Sequence, residues 1–276
     1  MVKAPGTILQ GIYLKERLRR LPTGRFLEVG CGSGWVSSLL LRQGWTGSGI
    51  DLNPASLSRA EAANASFVRD GRYRTVHGDF LDSAPGIGAD PFDLIISCMV
   101  VEHLDDCGES AYFRRCRERL APGGLLITIV PGSPAHWGIE DEIAGHHRRY
   151  TRDSLARRLE EESWDVGHLS GLTFPLSNLL LGVSNVLVRR AEQGQTALSM
   201  RERTLASGDR SVFLKTRIPP VFGVVLNEWA LLPWHLAQKL SSRHPSCLVL
   251  YAESRPRHPA PIGSPPSRPP DRTPHP

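Results

Sequence analysis

No two of the five cysteines (Cys31, Cys98, Cys107, Cys116, Cys247) stand in a C-x-x-C spacing, so neither a zinc ribbon nor a thioredoxin-type redox pair can be built from them. Lysine is scarce as well. Only Lys3, Lys15, Lys215 and Lys239 occur among 33 basic residues, and arginine supplies the rest. The net charge of +5 is scattered, and part of it sits in a Pro-rich end at Arg255, Arg257, Arg268 and Arg272. Without a basic stripe interleaved with aromatics, nucleic-acid binding is not expected. No apolar run reaches the roughly 18–20 residues that cross a bilayer. Charges interrupt the first 20 residues before a secretory h-region could form. Unpaired cysteines and no export signal lead to an expected cytoplasmic location. What remains is 276 residues, 40% hydrophobic and 22% charged, enough to bury a sizeable core.

From Arg25 to Val130, short apolar runs alternate with segments of helical spacing, which signals βαβ units around a parallel sheet. The expected strands are FLEV (26–29), TGSGI (46–50), YRTVH (73–77), FDLIIS (92–97) and LLITIV (125–130). WVSSLLLRQ, PASLSRAEAANA and AYFRRCRERL read as the intervening helices, the last ended by Pro122-Gly123-Gly124. TRDSLARRLEEE (151–162) reads as a further helix with Thr151 as its N-cap and Asp153 in the first turn. WDVGHLS (164–170) and CLVLYAE (247–253) read as the last two strands. The expected division is a helical segment over 1–24, a core over 25–171, a helical insertion over 172–244, a final core strand over 245–254 and a disordered tail over 255–276.

The central motif is Glu28-Val29-Gly30-Cys31-Gly32-Ser33-Gly34, lying between a strand and a helix. Glycines suit a chain that leaves a strand sharply and lets its backbone approach a ligand. Asp51 follows at the end of the next strand, where a carboxylate can accept both hydroxyls of a ribose. A dinucleotide fold needs a third glycine for close helix packing, and Trp35 stands there instead. That disfavours NAD, although an NAD-dependent oxidoreductase stays as an alternative of another class, and a non-catalytic protein keeping the pocket as a third.

LEVGCGSG (27–34), GIDLNP (49–54), HGDF (77–80), FDLIISCMVVEHL (92–104) and LAPGGLLITIVPG (120–132) together resemble, in order, the motifs of the class I S-adenosylmethionine-dependent methyltransferases. The resemblance implies an α/β fold, a Rossmann-like doubly wound sheet of about seven strands with an antiparallel last strand and a helical insertion as lid. It implies S-adenosyl-L-methionine as cofactor. Glu28 would lie near the methionine amine, Gly30 and Gly32 along the methionine portion, Asp51 at the ribose, and Asp79 with Phe80 at the adenine. Cys31, Gly34, Leu52 and Ser97 complete the expected cofactor-binding set.

Methyl transfer from a sulfonium is an in-line displacement, so the protein mainly aligns a nucleophile and, where needed, removes its proton. His103, His146, His147 and Tyr150 are the candidate catalytic residues, and Arg148 or Arg149 could position a polar acceptor. The alternative is a solvated basic loop ahead of a helix. Asp141, Glu142, His146 and His147 could hold a metal, but Cys98-Met99 stands where metal-dependent relatives carry an acid, so none is expected. The apolar flanks of ERTLASGDRS (202–211), read as a mobile loop, suggest a partly hydrophobic small-molecule acceptor. The expected activity is O-methylation in natural-product chemistry such as antibiotic biosynthesis. A membrane-associated lipid or quinone methyltransferase, touching lipid weakly through 172–240, is the alternative.

Overall fold

A computed structural model describes residues 2–82, 85–191 and 218–257. The expected mobile loop at 202–211 and all but the first three residues of the expected tail lie outside the described residues. Seven strands form one sheet: β1 (Arg25–Val29), β2 (Thr46–Asp51), β3 (Tyr73–His77), β4 (Phe92–Cys98), β5 (Leu120–Pro131), β6 (Trp164–Leu172) and β7 (Val249–Pro256). Their order is β3-β2-β1-β4-β5-β7-β6. The first five run parallel, while β7 lies antiparallel between β5 and β6.

The central strands are continuous apolar runs because both faces of the sheet are covered. On one face, Phe113, Cys116, Leu155 and Leu159 pack on Leu27, Ile95 and Leu126. They come from α5 (Asp106–Arg119) and α7 (Arg152–Glu161). On the other face, α1 (Pro5–Leu18) and α2 (Trp35–Arg42) bring Tyr13, Leu14, Leu18, Val36 and Leu40 against Phe26, Leu94 and Ile127. Thr151 caps α7 by accepting from Ser154 N at 3.0 Å, and Ser154 returns the bond, as a capping box requires.

Several boundaries differ from those the periodicity suggested. The helix ahead of β5 begins at Asp106 rather than Ala111, because Asp105 accepts from Gly108 N at 2.7 Å and caps it there. It ends at Arg119, and β5 starts at Leu120 with a register shift opposite Phe92 and Leu94, so Pro122–Gly124 lie within an irregular strand start. Asn64 splits the third helix into α3 (Pro54–Ala63) and α4 (Ala65–Arg69), its amide donating to Gly34 O and Ala60 O. β7 runs to Pro256, beyond the expected strand.

α6 (Ile139–Ala144) precedes α7. The segment after β6 contributes α8 (Leu176–Ala191) and α9 (Leu232–Leu240). Both meet α1, where Ile8, Leu9 and Leu231 form a small separate core. Among the described residues no helix is long and apolar enough to cross a membrane.

Candidate functional site

In a parallel sheet, the strand ends nearest a reversal of strand order leave a crevice at their carboxyl edge. Here the reversal falls at β1, with β2 on one side and β4 on the other. A cavity of about 770 Å³ opens at that edge, a volume that suits a small ligand. Glu28 reaches it from β1, Asp51 from β2 and Asp79 from just past β3, so successive strand ends deliver a row of carboxyls.

The turn after β1 is held by backbone bonds from Gly30 N and Cys31 N to Ile50 O, at 2.8 and 3.1 Å. Gly30, Gly32 and Gly34 all have left-handed φ (69°, 50° and 73°), a region costly for a residue with a Cβ. A Cβ on Gly32 would meet nothing within 4 Å, because its open side is the cavity. Asp51 locks this turn from the next strand, accepting from Gly32 N at 2.8 Å and from Asn53 N at 2.9 Å. A carboxylate has lone pairs left after two such bonds, so hydroxyls of a bound ribose can still be met. Asp79 accepts from Leu81 N at 2.8 Å and serves both as a turn residue and as cavity wall.

Glu28 is buried beneath α2, where its Oε2 accepts from both Ser37 N and Ser37 Oγ. Burial pushes its carboxyl up to about 8, against the opposing pull of the Ser37 bonds. A ligand ammonium beside it favours the ionised form, so binding such a cation releases a proton below that pH. Affinity for S-adenosylmethionine is therefore expected to climb from about pH 6 to about pH 8, by up to about tenfold per pH unit. Calorimetry in buffers of different ionisation heat reads the released proton directly. Glu28→Gln should flatten that limb, and a slope that survives in this variant assigns the proton elsewhere.

Of the expected cofactor-binding residues, Glu28, Gly30, Cys31, Gly32, Asp51, Leu52, Asp79 and Phe80 line the cavity. Gly34 and Ser97 do not. A Cβ on Gly34 would sit 2.9 Å from the Ala60 Cβ, so this glycine lets the turn pack against α3. Ser97 is buried and accepts from Tyr112 OH at 2.8 Å, and it is Tyr112 that reaches the cavity. Met99 and Val100, past β4 and inside the FDLIISCMVVEHL motif, also line the wall, although the sequence did not single them out as binding residues. The left-handed φ of 57° at Met99 aims the chain there, a conformation that no sequence signal announces.

His103, His146 and His147 line the same cavity, as do Leu104 and Ala144, and the His103 and His146 rings stand 4.8 Å apart. The bond from His147 N to Glu102 O, 2.7 Å, ties their loop to the turn Val101–His103. Burial lowers His103 to about 3, which leaves its ring neutral and far too weak a base at ordinary pH. His146 donates from Nδ1 to the buried Asp141 at 2.8 Å. Asp141, an orienting group that sequence reading missed in this role, also accepts from Arg149 Nε at 2.8 Å.

Tyr150 is not brought to the cavity. Its hydroxyl donates to Glu109 at 2.8 Å inside the core, and burial holds the phenol far above its usual range. The two arginines face the framework as well. Arg148 bonds Asp106, Glu109 and Leu104 O, while Arg149 bonds Asp141 and Gly132 O. Asp141, Glu142, His146 and His147 do not gather as a ligand set. Among the described residues the acids and imidazoles that do gather are Glu102, His103 and His146.

A family model described as a methyltransferase domain matches residues 9–169 of this chain. Curated relatives include the ubiquinone biosynthesis O-methyltransferase of Caulobacter sp. (strain K31), 36% identical over 106 residues, which are 38% of this chain and 40% of that protein. The protein of the same name from Histophilus somni (strain 2336) is 31% identical over 117 residues, 42% of this chain and 48% of that protein. The chain thus spans less than half the length of these two relatives. Similar solved structures include the glycopeptide N-methyltransferase MtfA complexed with S-adenosyl-L-methionine, at 19% identity, covering 58% of this chain and 79% of that one, with a TM-score of 0.47. The pyocyanin biosynthetic protein PhzM matches at 21% identity over 59% of this chain and 52% of that one, with a TM-score of 0.48.

Proposed function

This chain belongs to the class I S-adenosylmethionine-dependent methyltransferases, and from that membership we propose that it methylates an oxygen of a partly hydrophobic small molecule. The observation that carries the reading is the single cavity in which the carboxyls of Glu28, Asp51 and Asp79 line one part and His103, His146 and His147 another. S-adenosylmethionine supplies an electrophilic methyl group. Glu28 pairs with the ammonium, Asp51 accepts from the ribose hydroxyls, Asp79 accepts from the adenine amine, and Phe80 packs on the ring. The glycine turn lets the backbone come close without a side chain intervening. The acceptor oxygen would be aligned beside the histidine-lined wall, Leu104 and Ala144 would help exclude water, and the imidazoles of His146 and His147, not the weakly basic His103, would take the acceptor's proton. α8 supports a role as acceptor cover, because Ser184 donates to Glu140 of α6 at 2.9 Å and Val188 packs on Ile143, just ahead of the histidine loop.

Thermal unfolding tests the cofactor by mass action. At a hundred times its Kd, a ligand adds about 2.7 kcal/mol of stability, so S-adenosylmethionine should raise the Tm by about 5–10 °C. NAD should leave it unmoved, and the reverse pattern would establish the oxidoreductase instead. Transfer of labelled methyl to a panel of phenols and hydroxylated natural products then reads the acceptor class. No labelled product from any oxygen acceptor, with transfer to an amine panel, would reassign the atom.

A second reading, an acceptor of quinone type met at a membrane surface, is favoured by two observations. The relatives above are named for ubiquinone biosynthesis. In addition, Leu179, Val183 and Val186 form an exposed stripe on α8, and Trp229 is 83% exposed. If this reading holds, the chain co-floats with anionic phospholipid vesicles and Trp229→Ser together with Val183→Ser keeps it in solution. A parent chain that never floats leaves only the water-borne acceptor.

A further inference from the structure

Glu102 is fully buried, and among the described residues neither of its carboxylate oxygens has a hydrogen-bond partner. A buried carboxyl without partners is costly, and the folded chain keeps it beside the cavity. Its surroundings are ordered in a particular way. His146 spends its Nδ1–H on Asp141, which fixes the tautomer and leaves the Nε2 lone pair facing Glu102 Oε1, 3.9 Å away and beyond hydrogen-bond reach. Asp141 is itself held by Arg149 Nε and by Gly138 N, at 2.8 and 2.9 Å. The backbone of Gly145 bonds the His103 ring, and that ring stands 4.8 Å from the His146 ring, edge to face. One ligand atom from each of Glu102, His103 and His146 lies within 4.8 Å of the others.

Two imidazoles and one carboxylate, each imidazole oriented by a second group, make the donor set of a three-ligand divalent site. We propose that Glu102, His103 and His146 bind a divalent transition-metal cation, zinc foremost, with an open coordination position toward the acceptor end of the cavity. Ligand atoms around a tetrahedral zinc stand about 3.4 Å apart, so the three side chains draw together by about 1 Å on binding. The cation offsets the charge of the orphaned Glu102 carboxylate, and the His103 ring, oriented by the Gly145 backbone, offers its other nitrogen. Asp141 is then a positioning residue acting through His146, and His147 is left as the imidazole free to serve the acceptor. The placement at the acceptor end rests on the methyltransferase reading, whereas the binding of the cation does not.

The test is metal content by mass spectrometry after dialysis, with Co2+ substitution read by visible absorption. The parent chain should retain about one zinc per chain, and its cobalt form should show the intense absorption of a four-coordinate site. Glu102→Gln and His146→Asn should lose the metal. Asp141→Asn should weaken it about 10- to 100-fold, and restoring neither charge nor fold but only a lone acceptor at this position cannot recover it. His244→Gln, outside the cluster, should keep it. A parent chain that holds less than a tenth of an equivalent and gives no cobalt spectrum overturns the site, as does a Glu102→Gln chain that keeps its zinc. Calorimetric titration of S-adenosylmethionine on the parent chain after zinc has been offered separates the two ideas: a parent chain that binds cofactor but holds no cation sinks the cation site, and one that holds the cation but binds no cofactor sinks the methyltransferase reading alone.

Discussion

An Asp51→Ala chain should bind S-adenosylmethionine about a hundred- to a thousandfold more weakly than the parent. Two losses combine. In its proposed role Asp51 is a charged acceptor for two ribose hydroxyls, and hydrogen bonds to a charged group contribute about 1.5–3 kcal/mol each. The turn loses its lock as well, since Asp51 holds Gly32 N and Asn53 N. Without it, the left-handed Gly30–Gly34 turn is free to relax away from the shape that fits the ligand. The free protein should lose only about 1–2 kcal/mol of stability, because the turn's bonds to Ile50 O remain. Calorimetry for the affinity and urea unfolding for the stability separate these effects. An affinity within threefold of the parent would remove Asp51 from the ribose and leave it as a turn lock.

Glu109→Ala should cost the fold about 3 kcal/mol, toward the lower end of the range for breaking a buried ion pair. Glu109 is 0% exposed and accepts from Tyr150 OH, Arg148 Nη1 and Arg158 Nε, at 2.8, 3.0 and 3.0 Å. Its removal strands three donors that tie α5 to the loop ahead of α7 and to α7 itself. The side chains of Arg148 and Arg158 remain 27% and 23% exposed, so water reaches part of each guanidinium and tempers the loss. For a domain of this size the Tm should fall by about 6–12 °C. Glu109→Gln keeps an acceptor for Tyr150 and should cost visibly less. Equal losses in the two variants would mean that charge rather than shape is what this position supplies.

The carboxyl-lined part of the cavity was legible because its geometry is local. LEVGCGSG places a strand, a glycine turn and a helix start within eight residues, and the turn's geometry follows from those residues alone. Asp51 was readable for the same reason, being the last residue of the adjacent strand. The histidine-lined part was less so, because side-chain direction there depends on tertiary partners. Tyr150 follows two histidines in sequence, yet its hydroxyl turns inward to an acid on α5. His103 does reach the cavity, but burial strips it of basicity, and burial at one position is not written in a motif. Asp141 looked like one acid among three in IEDE, and only the fold joins it to His146 and Arg149. In the sheet, strand identities were read correctly wherever apolar runs were continuous. The start of β5 was missed because Pro122-Gly123-Gly124 has the composition of a turn.

The place of β7 in the sheet sets a timetable for synthesis. Among the described residues β6 pairs with β7 alone, and β7 leaves the ribosome after the other six strands of the sheet. Until residues 249–256 emerge, β5 has one open edge and β6 has no strand to join. The nascent chain thus carries an unpaired hydrophobic strand edge through the whole translation of residues 173–248, a period in which such edges invite aggregation. α1 shares this wait, because Arg17 makes its two-pronged bond to Glu253 of β7. α1 is thus fastened by a strand made more than 200 residues later, and a ribosome stalled before codon 249 should present a chain in need of a chaperone.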